Sequence, residues 1–354
     1  MDGTIIYFLD SGLNILAAVD QYKSAIFTAR YNTPGDFQIY LPATAEVLEL
    51  AKSAEFVTRA EDTTVCGVIE RISITTSAEE GDFVTIAGRD AAALLERRIV
   101  WRQTTYTGNA EKIVRDMIEK AFISPEVAAR TVSNFELAEE IGLAEDIQAQ
   151  YSGDNVSNAV QAICKTTGTG YRIRLDLENR RFIFELYQGT DRSFAQNENA
   201  YVVFSEDFDN LLSTAYEENN STARNVAQVA GEGQGKERVK VSVGSVTGIE
   251  RRETYINAQT KSSNQQELDA ETYAAVLRQD GTNGLAQLIA TKQIDGEIAP
   301  NYTFIFGRDY FLGDIIEVMN QYGVDMQPRI IEVTESWADD GYTCIPKFEK
   351  PGAA

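Results

Sequence analysis

The 354-residue sequence contains no histidine, three cysteines, two tryptophans and seven prolines, and its 32 basic residues face 54 acidic ones. Without histidine there is no Ser-His-Asp or Cys-His nucleophilic arrangement, and most catalytic zinc sites are excluded as well. Cys66, Cys164 and Cys344 stand far apart in apolar surroundings ("TVCGVIE", "QAICKTT", "YTCIPKF"). An odd, sparse set without CxxC spacing is neither a disulfide framework nor a zinc ribbon, so buried reduced thiols and assembly in a reducing cytoplasm are expected. No run of 18 apolar residues occurs, and hence no transmembrane helix is expected. The start, "MDGTIIYFLDSG", has an acid where a secretion signal is basic, and Asp10 interrupts its apolar stretch; export by that route is not expected. The formal charge of −22 is spread along the chain. Such a surface repels nucleic-acid phosphates and anionic membranes, with solubility as its simplest use.

What is present is ordinary folding material. Hydrophobic residues make up 43% of the chain, enough for a sizeable core, and the length suits two or three domains. Residues 1–103 read as short strands: "TIIYFL", "NILAAVD", "SAIFTARY" and "YNTPGDFQIYLP", the last placing Phe37, Ile39 and Leu41 on one face after a Pro34-Gly35-Asp36 turn. "ATAEVLELAKSA" reads as a short helix. The segment 64–90 reads as a hairpin turning at Glu79-Glu80-Gly81-Asp82, and Asp90 is placed to cap a following helix. Residues 104–205 change character, because Tyr106-Thr107-Gly108-Asn109 and Tyr151-Ser152-Gly153-Asp154 repeat one pattern before a helix. The final polar residue of each is expected to accept orphan helix N–H groups, with Ile113, Met117 and Ile118, or Val156, Val160 and Ile163, as the buried stripes. The second helix stops at Gly168, and a hairpin turns near Glu178-Asn179. Residues 206–350 return to strands, interrupted by one helix near 269–291 whose Gly281 and Gly284 suggest a break at its middle. A closing meander, "YFLGDIIEVMN", "DMQPRIIEVTESWA" and "GYTCIPKFE", completes this second β region. The fold class expected is α+β, mainly antiparallel β, with an α+β region inserted between two β modules.

The sequence nominates no catalytic, cofactor-binding or metal-ligating residue. "AGEGQGKERV" has the flavour of a phosphate loop, but Ala230 stands where its first glycine belongs, Glu237 follows Lys236, and a strand rather than a helix comes next. "SEDFDNLLS" is acidic but lacks the alternating ligands and glycine of a calcium loop. With 54 acids a glycosidase-like carboxylate pair can always be drawn, so that signal has no specificity. The sequons at Asn155, Asn219, Asn220 and Asn301 carry nothing without a secretory context.

Five stretches carry a resemblance: "YNTPGDFQIYLP", "AGRDAAALLERRIVW", "QYSGDNVSNAVQAIC", "NVAQVAGEGQGKERVKV" and "YFLGDIIEV". In order, they resemble segments of the ReqiPepy-like tail protein family of siphoviruses and prophages, from about residue 4 to residue 348. The resemblance implies a baseplate-hub or tail-tip protein with two tail-tube-like β-barrel domains, residues 1–103 and 206–350, flanking the inserted region 104–205. It implies a homotrimer around a central channel, its six β modules matching a hexameric tube above. Partners would be the tail tube or distal tail protein on one side and a spike, fibre or other baseplate protein on the other. DNA would pass without specific binding, and the place of action would be the virion tail after assembly in the host cytoplasm. It carries over no catalytic residue and no cofactor. In this reading "FLGDIIEV" is a barrel hairpin with Gly313-Asp314 at its turn, Gly313 at positive φ, and Ile315, Glu317 and Asn320 on its faces. A carbohydrate-binding or receptor-binding tail protein is one rival; it normally shows exposed aromatic clusters, whereas Tyr and Phe here alternate along strands. A tail-associated cell-wall hydrolase is the other, although the chain ends at residue 354 without an appended lytic domain.

Overall fold

The computed structural model describes residues 3–79, 81–263, 268–298, 303–319, 325–339 and 341–349. The first region contains β1 (Ile6–Leu9), β2 (Ile15–Val19), β3 (Ser24–Arg30), β4 (Asp36–Pro42), β5 (Phe56–Arg59), β6 (Cys66–Ser77) and β7 (Gly81–Asp90). Helix α1 (Ala45–Ser53) crosses between β4 and β5 and begins at Thr44, whose hydroxyl accepts the Val47 N–H. Alternation in β4 does what its spacing predicts: Phe37, Ile39 and Leu41 are buried while Gln38 is exposed. The β6–β7 hairpin closes with Ser77 opposite Gly81; of the expected turn residues, Glu80 lies outside the described residues. Asp90 does cap the next helix, accepting from Ala92 N, but the helix (Ala91–Arg97) is of the tighter 3-10 kind. The same carboxylate accepts from Gly35 N at 2.8 Å, so it also fixes the turn before β4.

In the inserted region, β8 (Thr104–Asn109) and β10 (Asp146–Tyr151) pair antiparallel, so the repeated motif builds a two-stranded ribbon feeding two helices. Asn109 caps α2 (Ala110–Ile118) through Lys112 N, as expected. The cap of α3 (Val156–Thr167) is Asn155, not Asp154. Asp154 folds back to accept from Ser152 N, which leaves the next residue to meet Ser157 N and Asn158 N. Both expected apolar stripes are buried, and α3 stops at Gly168 with φ +65°. Strands β11 (Gly170–Asp176) and β12 (Arg181–Tyr187) form the expected hairpin, and β9 (Phe135–Leu137) adds in parallel to β12.

The remaining elements are β13 (Val203–Ser205), β14 (Leu211–Asn219), β15 (Val226–Ala230), β16 (Lys240–Val243), β17 (Glu253–Asn257), α4 (Ala270–Ala286), β18 (Thr291–Ile298), β19 (Glu317–Met319), β20 (Asp325–Met326), β21 (Arg329–Ala338) and β22 (Gly341–Glu349). Helix α4 runs unbroken through Gly281 and Gly284, against the expected break. A Cβ at Gly281 would stand 2.6 Å from Val243 Cγ2, and one at Gly284 2.4 Å from Ile256 Cδ1. The glycines therefore let the helix lie directly on β16 and β17, and that packing outweighs their poor propensity. The closing segment also departs from expectation. "FLGDIIEV" is not a hairpin: a turn from Phe311 to Asp314 leads through a bridge at Ile315 into β19, which pairs in parallel with β13 and antiparallel with β20. The long hairpin at this end is formed by β21 and β22. The physical cause is the buried Asp314, which accepts from Thr190 N and Arg192 Nε and so ties the chain to segment 190–192 instead of to its own neighbour. Asn320, expected on a hairpin face, lies outside the described residues.

The two β regions are hydrogen-bonded into one sheet of eleven strands, in the order β14-β18-β22-β21-β3-β4-β7-β6-β5-β1-β2, every neighbouring pair antiparallel. The seam is β3 against β21, with Thr28 opposite Thr334, residues 306 apart in the chain. This sheet is strongly curled: Arg59 on β5 reaches Glu335 on β21 at 2.7 Å across the concave side, and its guanidinium lies between the rings of Phe27 and Trp337. Among the described strands no ladder closes the curl into either of the two barrels implied by resemblance. Phe8, Phe27, Ile39, Val57 and Ile86 fill its first half, and Phe204, Ile330, Val333 and Phe348 the second. All three cysteines are free and buried, as expected.

Local geometry sets two expected outcomes. Gly313 has φ +94°, and a Cβ there would lie 2.3 Å from Tyr31 Cε2. Gly313→Val combines backbone strain with overlap and is expected to cost on the order of 3 kcal/mol or more. Gly307→Ala, at φ +80° in open space, should cost only about 1 kcal/mol; equal urea midpoints for the two variants would refute the overlap. For Asp90, burial dominates and pushes the carboxyl up to about 6, against the hydrogen bonds from Gly35 and Ala92. A folded-state value above the ordinary 3.8 means that its contribution is full below about pH 4 and declines as pH rises through about 6. Asp90→Asn should lower stability by about 1 kcal/mol through the lost Gly35 bond while removing that slope, read as the difference between two pH series of urea unfolding.

Candidate functional site

Among the described residues no group of three or more His, Cys, Asp or Glu side chains is placed to hold a metal ion. Burial drives the Cys66 and Cys164 thiols far above their ordinary value, and Cys344 up to about 11, so none is a ready nucleophile. "AGEGQGKERV" is the connection from β15 to β16, closed on itself by Gly231 N to Val239 O and Val239 N to Glu232 O. In "SEDFDNLLS", Ser205 caps a single 3-10 turn and buried Asn210 accepts from Ser205 N, which leads the chain into β14. These are structural loops.

What the fold does assemble is a set of joints and outward surfaces. The first joint is Tyr31, just past β3. Its backbone N–H donates to Ile331 O and its carbonyl accepts from Tyr171 N, at 2.9 and 3.1 Å. Its hydroxyl donates to Gly168 O at 2.9 Å, its ring meets Tyr187 edge-on, and the Arg329 guanidinium sits 5.1 Å from the ring centre. Arg329 also donates to Gly313 O. One side chain thus touches all three regions read from the sequence. Burial raises its phenol above the ordinary value, with the Arg329 charge opposing.

The second joint is Lys261, which is buried with its ammonium 3.8 Å from both Asp154 and Asp280, 4.8 Å from the centre of the Tyr151 ring, and donating to Gln150 O. Burial raises the Asp280 carboxyl, and the Lys261 charge partly offsets this. The pair of joints locks the inserted region against both β regions. Neither tyrosine nor lysine announces itself in the sequence: Tyr31 opens the "YNTPGDFQIYLP" stretch, but only its long-range neighbours make it a hub.

The outward surfaces are the ends of the long sheet and one projecting hairpin. Seven consecutive residues of β6, Glu70–Thr76, are exposed on both faces, and Ile72 and Ile74 are 41% and 57% exposed. At the sheet edge, β2 exposes Ile15 and Leu16 and pairs with β1 alone among the described strands; β14 forms the other edge. Exposed apolar edges of this kind are surfaces that pair with another chain or must be shielded from one.

No curated protein sequence matches the chain. Among solved structures, the tail protein from Neisseria meningitidis MC58 is similar along 99% of this chain and 97% of its own, at 13% identity and a TM-score of 0.58. The 43 kDa tail protein of prophage MuSo2 from Shewanella oneidensis is similar along 98% of both chains, at 12% identity and a TM-score of 0.59. Prophage tail protein gp18 from Listeria monocytogenes EGD-e is similar along 99% and 96%, at 11% identity and a TM-score of 0.52. At these identities the likeness is one of fold, and it spans nearly the whole chain. The family profile described as Siphovirus ReqiPepy6 Gp37-like protein matches residues 5–348, so this mainly antiparallel β chain with the fold of phage and prophage tail proteins belongs to that family.

Proposed function

We propose that the chain is a structural protein of the baseplate hub or tail tip, three copies of which form a ring around the DNA channel between the tail tube and the spike or fibre proteins. The observation that carries this reading is the single curled sheet built from residues on both sides of the insertion, with a free apolar edge at β2 and a second edge at β14. A subunit with two β regions supplies six such regions to a threefold ring, and cyclic closure satisfies edges that a monomer would leave open. The Glu70–Thr76 part of β6, exposed on both faces, is suited to lie on a neighbouring subunit. In this proposal residues 1–103 and 206–350 are the two ring-forming bodies, and residues 104–205 are a peripheral body held to them at Tyr31 and Lys261. The place of action is the virion tail, after assembly in the host cytoplasm, and the role is not enzymatic.

Charge fits the channel. Three copies at −22 each carry −66. Acids facing the lumen would keep DNA from binding the wall, by repulsion acting over roughly 8–10 Å at physiological salt.

Imaging of the assembled particle tests the ring. Three copies at the tail end and an acidic lumen are expected; one or six copies would overturn the ring, and a basic or neutral lumen would reduce the charge to a solvating coat. Purified protein should turn over peptidoglycan, peptides and nucleotides no faster than buffer. Turnover abolished by substituting one carboxylate would replace the structural reading with the hydrolase.

A further inference from the structure

Trp101 is 55% exposed and stands at the mouth of a cavity of about 380 Å³ in the inserted region. Buried Val100, Met117 and Val156 give the cavity an apolar floor. One wall comes from an irregular part of the chain: α2 continues as a single π-turn, Glu119–Ile123, which contributes Lys120 and Ala121. Such turns are rare and recur at functional sites. The charged part of the lining is basic, with Arg102, Lys120 and Arg130 against one acid, Glu126. Arg102 pairs with Glu126, and Lys120 pairs with Asp116 one helical turn earlier. Arg130 is different. Its guanidinium lies over the Trp101 ring, 5.0 Å from the centre, and donates to Ile99 O, with no carboxylate partner among the described residues. Burial and the nearby Arg98 charge both disfavour its charged form. A guanidinium carries several N–H donors, so most of those on Arg130 remain for a ligand.

In a chain of net charge −22, a concave basic site runs against the prevailing sign and selects for an anionic occupant. The apolar floor beneath it calls for an aliphatic group beside that anion. A peptide in which leucine or isoleucine neighbours aspartate or glutamate has both. A sugar has the wrong chemistry for the floor, since Val100, Met117 and Val156 offer its hydroxyls no side-chain hydrogen-bond partner. One face of Trp101 is also occupied already by the Arg130 guanidinium. Trp and Arg are the residues that most often carry binding energy at protein interfaces, in pockets of this kind. Position decides between a second copy and a different protein. The proposed ring makes its contacts through the two β regions and leaves residues 104–205 outside it, facing whatever surrounds the hub.

Resting on that reading for the partner's identity, we propose that the Trp101 cavity docks an acidic, aliphatic segment of another tail protein, its aliphatic side chain on the floor and a carboxylate on Arg130. The first test is fluorescence anisotropy of the purified full chain with a labelled peptide of alternating glutamate and leucine. Saturable binding is expected, weaker by about tenfold or more when glutamine replaces glutamate in the peptide, and likewise in Arg130→Gln. Arg130→Lys should recover only part of that loss, because lysine keeps the charge without the fork. No binding, equal binding of the two peptides, or unchanged affinity in Arg130→Gln overturns the site; the glutamine peptide gives that answer on the unaltered chain. Tighter binding of a glucuronate disaccharide overturns the class of ligand. The second test puts the photoreactive residue p-benzoylphenylalanine in place of Ile99, on the cavity lining, and illuminates the assembled particle. A cross-link to an acidic, aliphatic segment of a different tail protein is expected; one to a second copy, one only within the chain, or none overturns the partner. Peptide binding by the free chain does not depend on the ring. A failed titration therefore sinks the cavity and leaves the ring, whereas a copy number other than three at the tail end sinks the ring alone.

Discussion

The fold depends on the space around the Tyr31 side chain. Gly170 and Gly313 present backbone where any Cβ would collide with the Tyr31 ring, at 2.4 and 2.3 Å. Gly189 in turn lies directly on Gly313, where a Cβ would come within 1.9 Å of its carbonyl. Two chain segments far apart in sequence thus meet one ring at backbone distance, and a third packs on one of them. That packing is why the curled sheet, the inserted region and the segment before β19 form one body rather than three tethered ones. Glycine is needed here for its missing side chain as much as for its torsional freedom.

Buried charge adds specificity to that packing. Arg59 with Glu335, Arg192 with Asp314, and Lys261 with two aspartates each join segments from different parts of the chain. Desolvation offsets much of the Coulomb attraction in such pairs, so their net stabilisation is small. Leaving one partner alone in the interior is costly, however, and an alternative docking of the segments would do that. The charges therefore select one arrangement among several that apolar contact alone would allow. On the outside the logic is reversed: a surplus of acid on exposed residues favours solubility and disfavours phosphate.

Little of the candidate surface was legible in the sequence. Trp101 and Arg130 are 29 positions apart, and nothing in either context marks a cavity until α2 and the segment 98–104 are packed. What histidine-dependent chemistry would need was far more legible, since a chain without histidine excludes those reaction classes before any coordinate is known.

Local structure was readable from residue order alone: the alternation of β4, the β6–β7 and β11–β12 hairpins, the caps at Asp90 and Asn109, and the stop at Gly168. These signals lie within a few residues, where backbone sterics and short hydrogen bonds act. Long-range packing settled the rest. Whether Gly281 breaks a helix depends on Val243 lying beneath it, and whether Gly313-Asp314 starts a hairpin depends on Arg192 drawing Asp314 away. The union of two β regions into one sheet depends on β3 meeting β21 across 306 residues. A strand's pattern specifies which face is buried, but its edge hydrogen bonds are chemically alike along the chain, so the partner is chosen only when side chains such as Arg59 and Tyr31 find the neighbours that fit them.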